Sequence, residues 1–344
     1  VQGLTTTQLG AITTTALTAL SSTRLSTTQL SGVSTTALNS LSTTQVAALS
    51  STQVASLTST EVNGLSTTNM QALTTGALAG LSTSMIGVMT TAALNNMTTA
   101  QIASLSSTSA SALTSTDISG LSTTNLQALT TKAIAGLTTT ALSTATTAGL
   151  SAMTASQLAA LDTNQTQGLT TTQLGAITTT ALQALNAARL STTQLSGVTT
   201  VALNNLSTTQ LGTLNSTQVG ALTSTELNGF TTTNMQSLGT SALTGVTTAI
   251  LSVINTSALN NMTLTQLGAL NTSQVSGLTT AQLNGLTTTA IHGLNVVSLS
   301  TTQIQGLTTT AITNLTTTQA DSLTNTQVAA MTTTQVSALQ TVLG

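Results

Sequence analysis

Charge is almost missing from this sequence. Of its 344 residues, 2% are Asp, Glu, Lys or Arg, and the formal net charge is −2. Globular proteins usually carry roughly 25% charged residues. Proteins that bind nucleic acids or anionic membranes need a basic surface, so the composition argues against both classes. The few acidic residues are spread over the whole chain and predict no carboxylate-rich calcium site.

Cysteine, proline, tryptophan and tyrosine are absent, and Phe230 is the only aromatic residue. Without cysteine there are no disulfides and no thiolate metal ligands. Ser and Thr interrupt every apolar stretch, so none approaches the ~20 residues of a membrane-spanning helix. The chain starts at Val1, not Met, and shows no signal peptide. We therefore expect a processed protein or a section of a longer one.

What the sequence does have is an eight-residue repeat, the octad, as in residues 41–48 (LSTTQVAA) and 49–56 (LSSTQVAS). Position 1 is mostly Leu, position 2 is Ser or Thr, and positions 3 and 4 are small and usually hydroxylated. Position 5 is often Gln, position 6 is Leu, Val, Ile or Met, and positions 7 and 8 are mostly small. Forty octads fill nearly the whole chain, which predicts one continuous repeat array over residues 1–344.

Three five-residue units, the pentads, interrupt the octads at residues 20–24, 185–189 and 294–298. The first two end in Arg24 and Arg189. We interpret the pentads as a phase correction in the coil. The two Arg side chains either cap carbonyl groups there, which is the interpretation we favour, or mark a lateral contact.

A longer period is superimposed on the octads. Residues 3–12 recur as residues 168–177, an offset of 165. This predicts a block duplication of residues 3–167 and 168–293, with a partial third copy in residues 294–344.

Each octad is predicted to form one very short helix, from position 3 to about position 8. Ser or Thr at position 2 is a preferred N-cap, because its side-chain oxygen accepts a free backbone N–H of the first turn. Gln or Glu three residues later completes a capping box. The residues that replace Ser or Thr at position 2 are also good N-caps, namely Asp162, Asn215, Asn255 and Asn271. Gly or Asn at position 8 is expected to end the helix in the left-handed conformation.

Leu at position 1 and the aliphatic residue at position 6 are expected to form the core. The predicted fold class is therefore all-α, a solenoid of very short capped helices with one helix per octad. A β-solenoid is the alternative, because Thr is favourable in strands. Against it, the apolar spacing of five and then three residues does not alternate, and Ala, Gln, Leu and Met favour helix.

The sequence contains no recognisable catalytic, cofactor-binding or metal-binding residues. His292 has no second ligand near it, so we predict a surface residue. Glu61, Asp117 and Glu226 stand at position 5, where capping explains them. Seven of the eight Met residues occupy core positions, and Met85 is the exception. Acid–base or nucleophilic catalysis needs paired groups that are lacking here, so the chain is not predicted to be an enzyme or to carry a cofactor.

The rows of Ser and Thr are the one candidate functional surface. In the simplest interpretation they are helix caps and solvating hydroxyls. Alternatively, they carry O-linked glycans, or they bind carbohydrate, a surface or ice.

The pattern Leu-Thr-Thr-x-Gln-Leu-x-Ala, found at residues 4–11 and 169–176, resembles the octapeptide arrays of very large bacterial cell-surface proteins. These include haem-utilisation, haemagglutinin-like and adhesion proteins, and the resemblance covers nearly the whole chain. It implies an extracellular location at the cell surface and a role as a stalk, fibre or adhesin. Haem binding is not carried over, because apart from His292 and core Met residues no axial ligands are present.

These observations predict a structural extracellular protein, either a filament subunit or a surface stalk, which packs head to tail and laterally. Its predicted partners are copies of itself or other sections of a giant surface protein. Incomplete repeats at both ends would allow open-ended stacking, and low net charge would permit lateral packing. The alternative is an adhesin whose Thr/Ser face binds a glycan, a surface or ice.

Overall fold

The computed structural model describes residues 3–12 and 14–344. Within these residues there are forty α-helices, three 3-10 helices and no strand. The predicted all-α solenoid of short capped helices is confirmed, and the β-solenoid alternative is wrong. The broken repeat at Val1 and Gln2, and Thr13 at position 2 of the second octad, lie outside the described residues.

Each α-helix has four to six residues, except the last, which has eleven, and each 3-10 helix has three. The helices of the first half of the chain are α1 Thr6–Ala11, α2 Thr14–Thr18, η1 Ser22–Arg24, α3 Thr27–Leu30, α4 Thr35–Asn39, α5 Thr43–Ala47, α6 Ser51–Ala55, α7 Ser59–Asn63, α8 Thr67–Ala72, α9 Thr75–Leu78, α10 Thr83–Gly87, α11 Thr91–Asn95, α12 Thr99–Ala103, α13 Ser107–Ala110, α14 Ser115–Gly120, α15 Thr123–Ala128, α16 Thr131–Ile134, α17 Thr139–Ser143, α18 Thr147–Ala152, α19 Ala155–Ala159, α20 Thr163–Gly168 and α21 Thr171–Ala176.

The remaining helices continue the same pattern of one per repeat. They are α22 Thr179–Ala184, η2 Ala187–Arg189, α23 Thr192–Gly197, α24 Thr200–Asn204, α25 Thr208–Gly212, α26 Ser216–Gly220, α27 Ser224–Gly229, α28 Thr232–Ser237, α29 Thr240–Leu243, α30 Thr248–Leu251, α31 Thr256–Asn260, α32 Leu264–Gly268, α33 Thr272–Ser276, α34 Thr280–Asn284, α35 Thr288–Gly293, η3 Val296–Ser298, α36 Thr301–Gly306, α37 Thr309–Thr313, α38 Thr317–Ser322, α39 Asn325–Ala329 and α40 Thr333–Leu343.

The chain divides into two compact units, Val1–Gln173 and Leu174–Gly344. In the first unit, α14 lies against both α17 and α18, the third and fourth helices after it. In the second unit, α32 lies against α35, and α31 lies against both α27 and α35. One turn of the solenoid, here called a coil, therefore takes between three and four octads. The prediction of one continuous array with duplicated blocks stays a prediction.

The helices begin as the repeat predicts. The Ser42 hydroxyl accepts the backbone N–H of Gln45 at 3.3 Å, and the Gln45 Oε1 accepts the backbone N–H of Ser42 at 2.9 Å. This capping box recurs along the chain because position 2 and position 5 are three residues apart. The four predicted replacements all accept the N–H of the residue three positions later: Asp162, Asn215, Asn255 and Asn271. At Gly239, which has no side chain, that bond is missing.

The helices end differently from the prediction. Gly64 and Asn96 at position 8 have φ values of −90° and −74°, in the right-handed region. Among the described residues only Gly344 has a positive φ, so the predicted left-handed ending is wrong. The following Leu ends the helix instead: Leu73 is extended, with φ −60° and ψ 131°, and its N–H donates to the Met70 carbonyl oxygen at 3.3 Å. Because this extended residue already turns the chain inward, position 8 needs no unusual backbone.

The core consists of position 1 and position 6, as predicted. Leu126 and Ile134 are fully buried, and Phe230 replaces Leu at position 1 with 4% exposure. Six of the Met residues in core positions are buried: Met70, Met89, Met97, Met153, Met235 and Met262. Met331, also predicted in the core, is half-buried, and so is Met85. The core is narrow, because it holds one layer of aliphatic side chains from each octad.

The pentads replace whole octads. In each pentad the residue three places before the next Leu is buried, as position 6 is in an octad: Ser22, Ala187 and Val296. In the pentads this residue begins a 3-10 helix. The three residues that a pentad lacks are therefore positions 3 to 5, the first turn of the usual helix. The predicted phase correction is not what the pentads provide, because the order of repeats around the coil is unchanged.

Candidate functional site: the amide bridges between coils

Gln157 joins two coils and caps two helices at once. Its Oε1 accepts the backbone N–H of Thr154 at 2.8 Å, at the start of its own helix. Its Nε2 donates to the carbonyl oxygens of Leu126 and Leu129, at 2.8 and 2.7 Å, where an earlier helix ends. Helix ends leave backbone N–H and C=O groups without partners. One buried amide therefore satisfies such groups at the start of its own helix and at the end of an earlier one.

The same donation to an earlier coil is made by the position-5 glutamines in both compact units. The Nε2 groups that donate belong to Gln29, Gln45, Gln53, Gln101, Gln157, Gln165, Gln173, Gln210, Gln218, Gln266, Gln274, Gln282, Gln303, Gln319, Gln327 and Gln335. In an uninterrupted stretch the two acceptors lie 31 and 28 residues earlier, as for Gln157. One coil therefore takes 28 residues, or three and a half octads.

Across a pentad these separations shrink by three residues. Gln210 donates to Leu182 and Leu185, which are 28 and 25 residues earlier. Three residues is the difference between an octad and a pentad. The bridge thus confirms that a pentad occupies the place of one octad.

Asn63, at position 7, makes a second kind of bridge, and it points to the following coil. Its Nδ2 donates to the carbonyl oxygen of Val88 at 2.9 Å, and its Oδ1 accepts the backbone N–H of Thr90 at 2.7 Å. Thr90 is the N-cap of an octad with Ala93 at position 5, so no Gln is available for its N–H. The Asn amide of the previous coil takes the place of the missing capping box.

The position-7 bridge was not predicted from the sequence. An Oδ1 that accepts an N-cap N–H of the next coil belongs to each of Asn39, Asn63, Asn95, Asn204, Asn228, Asn260 and Asn284. The available signal was the spacing, since each acceptor precedes its N-cap by 27 residues, or by 24 where a pentad intervenes.

His292 also occupies position 7. It is exposed, as predicted, and its Nε2 lies 3.0 Å from the carbonyl oxygen of Asn314. A carbonyl oxygen only accepts, so this contact selects the tautomer with a proton on Nε2. The imidazole therefore serves as another bridge to the next coil.

The acidic residues at position 5 act as caps, as predicted. The Glu61 Oε2 accepts the Thr58 N–H at 2.6 Å, and the Asp117 Oδ2 accepts the Thr114 N–H at 2.9 Å. Glu226 makes the same contact as Glu61 with its own N-cap. All three are buried, with 3% or 4% exposure.

The remaining charged side chains lie at or near the surface. Arg24, Lys132, Asp162 and Asp321 are exposed, and Arg189 is half-buried. Within the described residues, no three His, Asp or Glu side chains lie together in a way that could hold a metal ion. No helix in the same part of the chain is both long enough and apolar enough to cross a membrane.

Hydroxyl groups line two neighbouring open clefts on the first compact unit. The larger has a volume of about 390 Å³ and is lined by Ser115, Thr116, Ser119, Gly120, Thr144 and Thr146. The smaller, of about 260 Å³, shares Ser115 and Thr144 with it. Neither lining contains a charged or aromatic side chain.

A family model described as the ALTTAQ repeat matches residues 23–59. This segment contains the first pentad's end and four octads, including the Gln45 and Gln53 bridges. No curated protein and no solved structure matches the chain. The comparison therefore supports a repeat-containing protein, with a segment similar to the ALTTAQ repeat.

Proposed function

We propose that the chain is a non-enzymatic structural protein of the cell surface, whose stacked coils form a stalk or a filament subunit. The observation that carries the proposal is the direction of the Gln157 bridge. Its coil gives N–H groups to the coil before it, through Leu126 and Leu129. In the second compact unit one coil does both. Gln274 donates to the carbonyl oxygens of Leu243 and Val246 in the coil before it. The carbonyl oxygens of Val275 and Leu278 accept from Gln303 in the coil after it.

A contact between two different faces is heterologous, and stacking through it does not close on itself. Coils of this kind extend an array by the same step each time, within one chain or between copies of it. Copies of the chain, or further repeats of a longer surface protein, are therefore the partners that we propose. Low charge favours lateral packing of such arrays, because little electrostatic repulsion opposes it.

Electron microscopy of the purified 344-residue chain over a concentration series tests the filament role. We expect end-to-end filaments that gather into bundles as the concentration rises. A matched variant with Thr116→Asp and Thr140→Asp adds charge at two exposed positions. It should keep the filaments but lose the bundles at low salt, and regain them near 1 M salt, where the Debye length is about 3 Å. Dispersed particles at every concentration would contradict the filament role, and antibody labelling of intact cells tests the location.

The second candidate is a binding role for the Thr/Ser surface, which the larger cleft favours. Its lining is hydroxyl-rich and uncharged, so a neutral ligand with many hydroxyl groups, such as a glycan, is the matching chemical class. Glycan-array binding that Thr116→Val and Thr144→Val abolish would support this role, because both side chains line the cleft and are exposed. Thermal hysteresis tests ice binding on the same surface. If neither signal appears, the Thr/Ser surface is a solvating surface only.

A further inference from the structure

Asn at position 7 and Gln at position 5 compete for the same backbone N–H. The N–H of Thr90 goes to Asn63 of the previous coil, whereas the N–H of Thr154 goes to Gln157 of its own octad. One N–H has one proton to donate. An octad therefore needs one of the two amides, and the second would have no partner for its oxygen.

The chain obeys this exclusion wherever position 7 is Asn. The octads that receive these Asn bridges carry at position 5 residues that make no capping box: Asn69, Ala93, Asn125, Asn234, Ala258, Ala290 and Ala311. The three Asn side chains at position 5 instead donate their Nδ2 groups to carbonyl oxygens of an earlier coil, those of Leu38, Leu94 and Asn204. The Ser119 hydroxyl does the same for Thr146, whose octad has Gly149 at position 5.

Gln at position 7 follows the opposite rule. Gln127 faces the octad that begins its helix at Thr154, where Gln157 already takes the N–H. The Gln127 Nε2 donates to the carbonyl oxygen of Ala152 at 3.0 Å. Its oxygen is not needed as an acceptor for the Thr154 N–H, because Gln157 already accepts it. Gln183 likewise donates to the carbonyl oxygen of Asn205. Gln183 lies one coil before the octad in which Gln210 closes the capping box. The other position-7 glutamines that precede a Gln octad by the same 27 residues are Gln71, Gln236 and Gln305.

The pairing also distinguishes the observed register from its neighbours. In a coil one octad shorter, Asn39 would face Thr58, whose N–H is taken by Glu61. In a coil one octad longer, Asn63 would face Thr98, whose N–H is taken by a Gln of its own octad. A nearly uniform eight-residue repeat gives little other information about register, because its apolar positions match after every shift.

We infer that positions 5 and 7 form a pairing code, in which Asn63 and its equivalents recognise octads without a capping box and so fix the register of coil on coil. The inference does not depend on the proposed function. Polar groups that need a hydrogen-bond partner specify register, because every arrangement that leaves them unpaired is higher in free energy. Asn and Gln at position 7 are thus specificity-determining residues for the contact between coils.

Hydrogen exchange at the Thr90 amide tests the code, with the full chain and three variants. Asn63→Gln keeps a donor for the Val88 carbonyl but moves the oxygen away from Thr90. We expect Thr90 to exchange about five- to tenfold faster, the size of one lost hydrogen bond. Adding Ala93→Gln should return the exchange to its original rate, because the new amide takes the Thr90 N–H. Ala93→Gln alone should change the rate less than it does in the Asn63→Gln background.

The matched control is Gln127→Ala, which should leave exchange at Thr154 unchanged because Gln157 holds that N–H. Unchanged exchange at Thr90 in Asn63→Gln, or a failure of Ala93→Gln to restore it, would overturn the code. If Asn63→Gln fails to fold, the equivalent pair Asn228→Gln and Ala258→Gln provides the same measurement at Asn255. If adding the Ala→Gln substitution to the Asn→Gln variant restores folding, the code is supported. If the double variant also fails to fold, the code is rejected.

Discussion

The Nε2 of Gln157 lies 2.7 Å from the carbonyl oxygen of Leu129, a residue 28 positions earlier in the chain. This bond connects one coil to the next, and its partner groups are backbone atoms, so it does not depend on which side chain the earlier repeat carries. A sequence of near-identical octads can therefore repeat it many times. Replacing the amide at one position should weaken one coil–coil contact without changing the others.

Gln157→Ala should destabilise its coil by about 2–4 kcal/mol, because one buried N–H and the carbonyl oxygens of an earlier helix lose their partner. Gln157→Glu should destabilise the coil less than Gln157→Ala, because a carboxylate oxygen still accepts the Thr154 N–H. It loses only the donations to the carbonyl oxygens of Leu126 and Leu129. Hydrogen exchange near Thr154 measures the local effect, which suits an array whose unfolding is not all-or-none. Ser156→Ala, at an exposed position of the same helix, is the control and should change little. Unchanged exchange in Gln157→Glu would contradict the role of Nε2, and equal effects of the two variants would contradict the role of Oε1.

Glu61 leads to a prediction of the opposite sign. It is 4% exposed and accepts the Thr58 N–H at 2.6 Å, yet a carboxyl group has no N–H to donate to an earlier coil. Glu61→Gln should supply the two donations to the carbonyl groups of Leu30 and Val33, which lie 31 and 28 residues earlier. We expect stabilisation of about 1–2 kcal/mol.

Thermal unfolding of the full chain, together with exchange at the Thr58 segment, measures the change. Glu226→Gln repeats the experiment at the equivalent position and should give the same sign. Asp117→Asn is a useful contrast, because the second oxygen of Asp117 already accepts the Thr91 hydroxyl at 2.9 Å. A loss of stability in Glu61→Gln would show that the carboxylate makes a contact that the amide cannot replace.

Much of the local structure follows from the sequence, because a capping box involves residues only three positions apart. Ser42 and Gln45 are such a pair, and so is Asp162 with Gln165. The burial of positions 1 and 6 follows from the same short window. This is why one helix per octad, the N-caps and the core were predictable without knowing how the coils stack.

The stacking itself could not be predicted. The Gln157 Nε2 bonds depend on a coil of 28 residues, and the octad alone does not fix how many repeats make a coil. Predicting the role of Asn63 at position 7 likewise requires the length of a coil to be known. The helix endings were predicted wrongly because Gly64 was expected to provide a left-handed turn, whereas the extended Leu after each helix provides the turn. Long-range geometry, not local preference, decides these features.

The third pentad allows a test of repeat equivalence. Inserting Thr-Thr-Gln after Asn295 would convert residues 294–298 into a full octad, and the new Gln would stand 31 and 28 residues after Leu267 and Leu270. We expect the chain to keep its helical circular dichroism and its stability, because a pentad occupies the place of an octad. The same three residues inserted after Asn271, inside a complete octad, should lower the melting temperature. Comparable losses in both variants would show that the pentad is not equivalent to an octad.

Glycine at position 8 allows close approach of neighbouring coils at Gly80 and Gly136, whereas Gly76 at position 4 has no such role. A Cβ on Gly80 would overlap the carbonyl oxygen of Ser51, and a Cβ on Gly136 would overlap that of Ser107. At Gly76, inside α9, the nearest atom to a Cβ would be the Thr74 Oγ1 at 3.9 Å. The backbone of one coil must therefore move if Gly80 gains a side chain, whereas Gly76 has space for one.

Gly80→Ala should destabilise the first compact unit by about 1–3 kcal/mol, the usual cost of overpacking. Gly76→Ala should stabilise it by up to about 1 kcal/mol, because Ala is the better helix residue and loses less entropy on folding. Thermal melts of the two single variants beside the unchanged chain make the comparison, with exchange in residues 50–56 as the local measurement. If both substitutions shift the melting temperature in the same direction, the close contact between Gly80 and Ser51 does not limit the spacing of the coils.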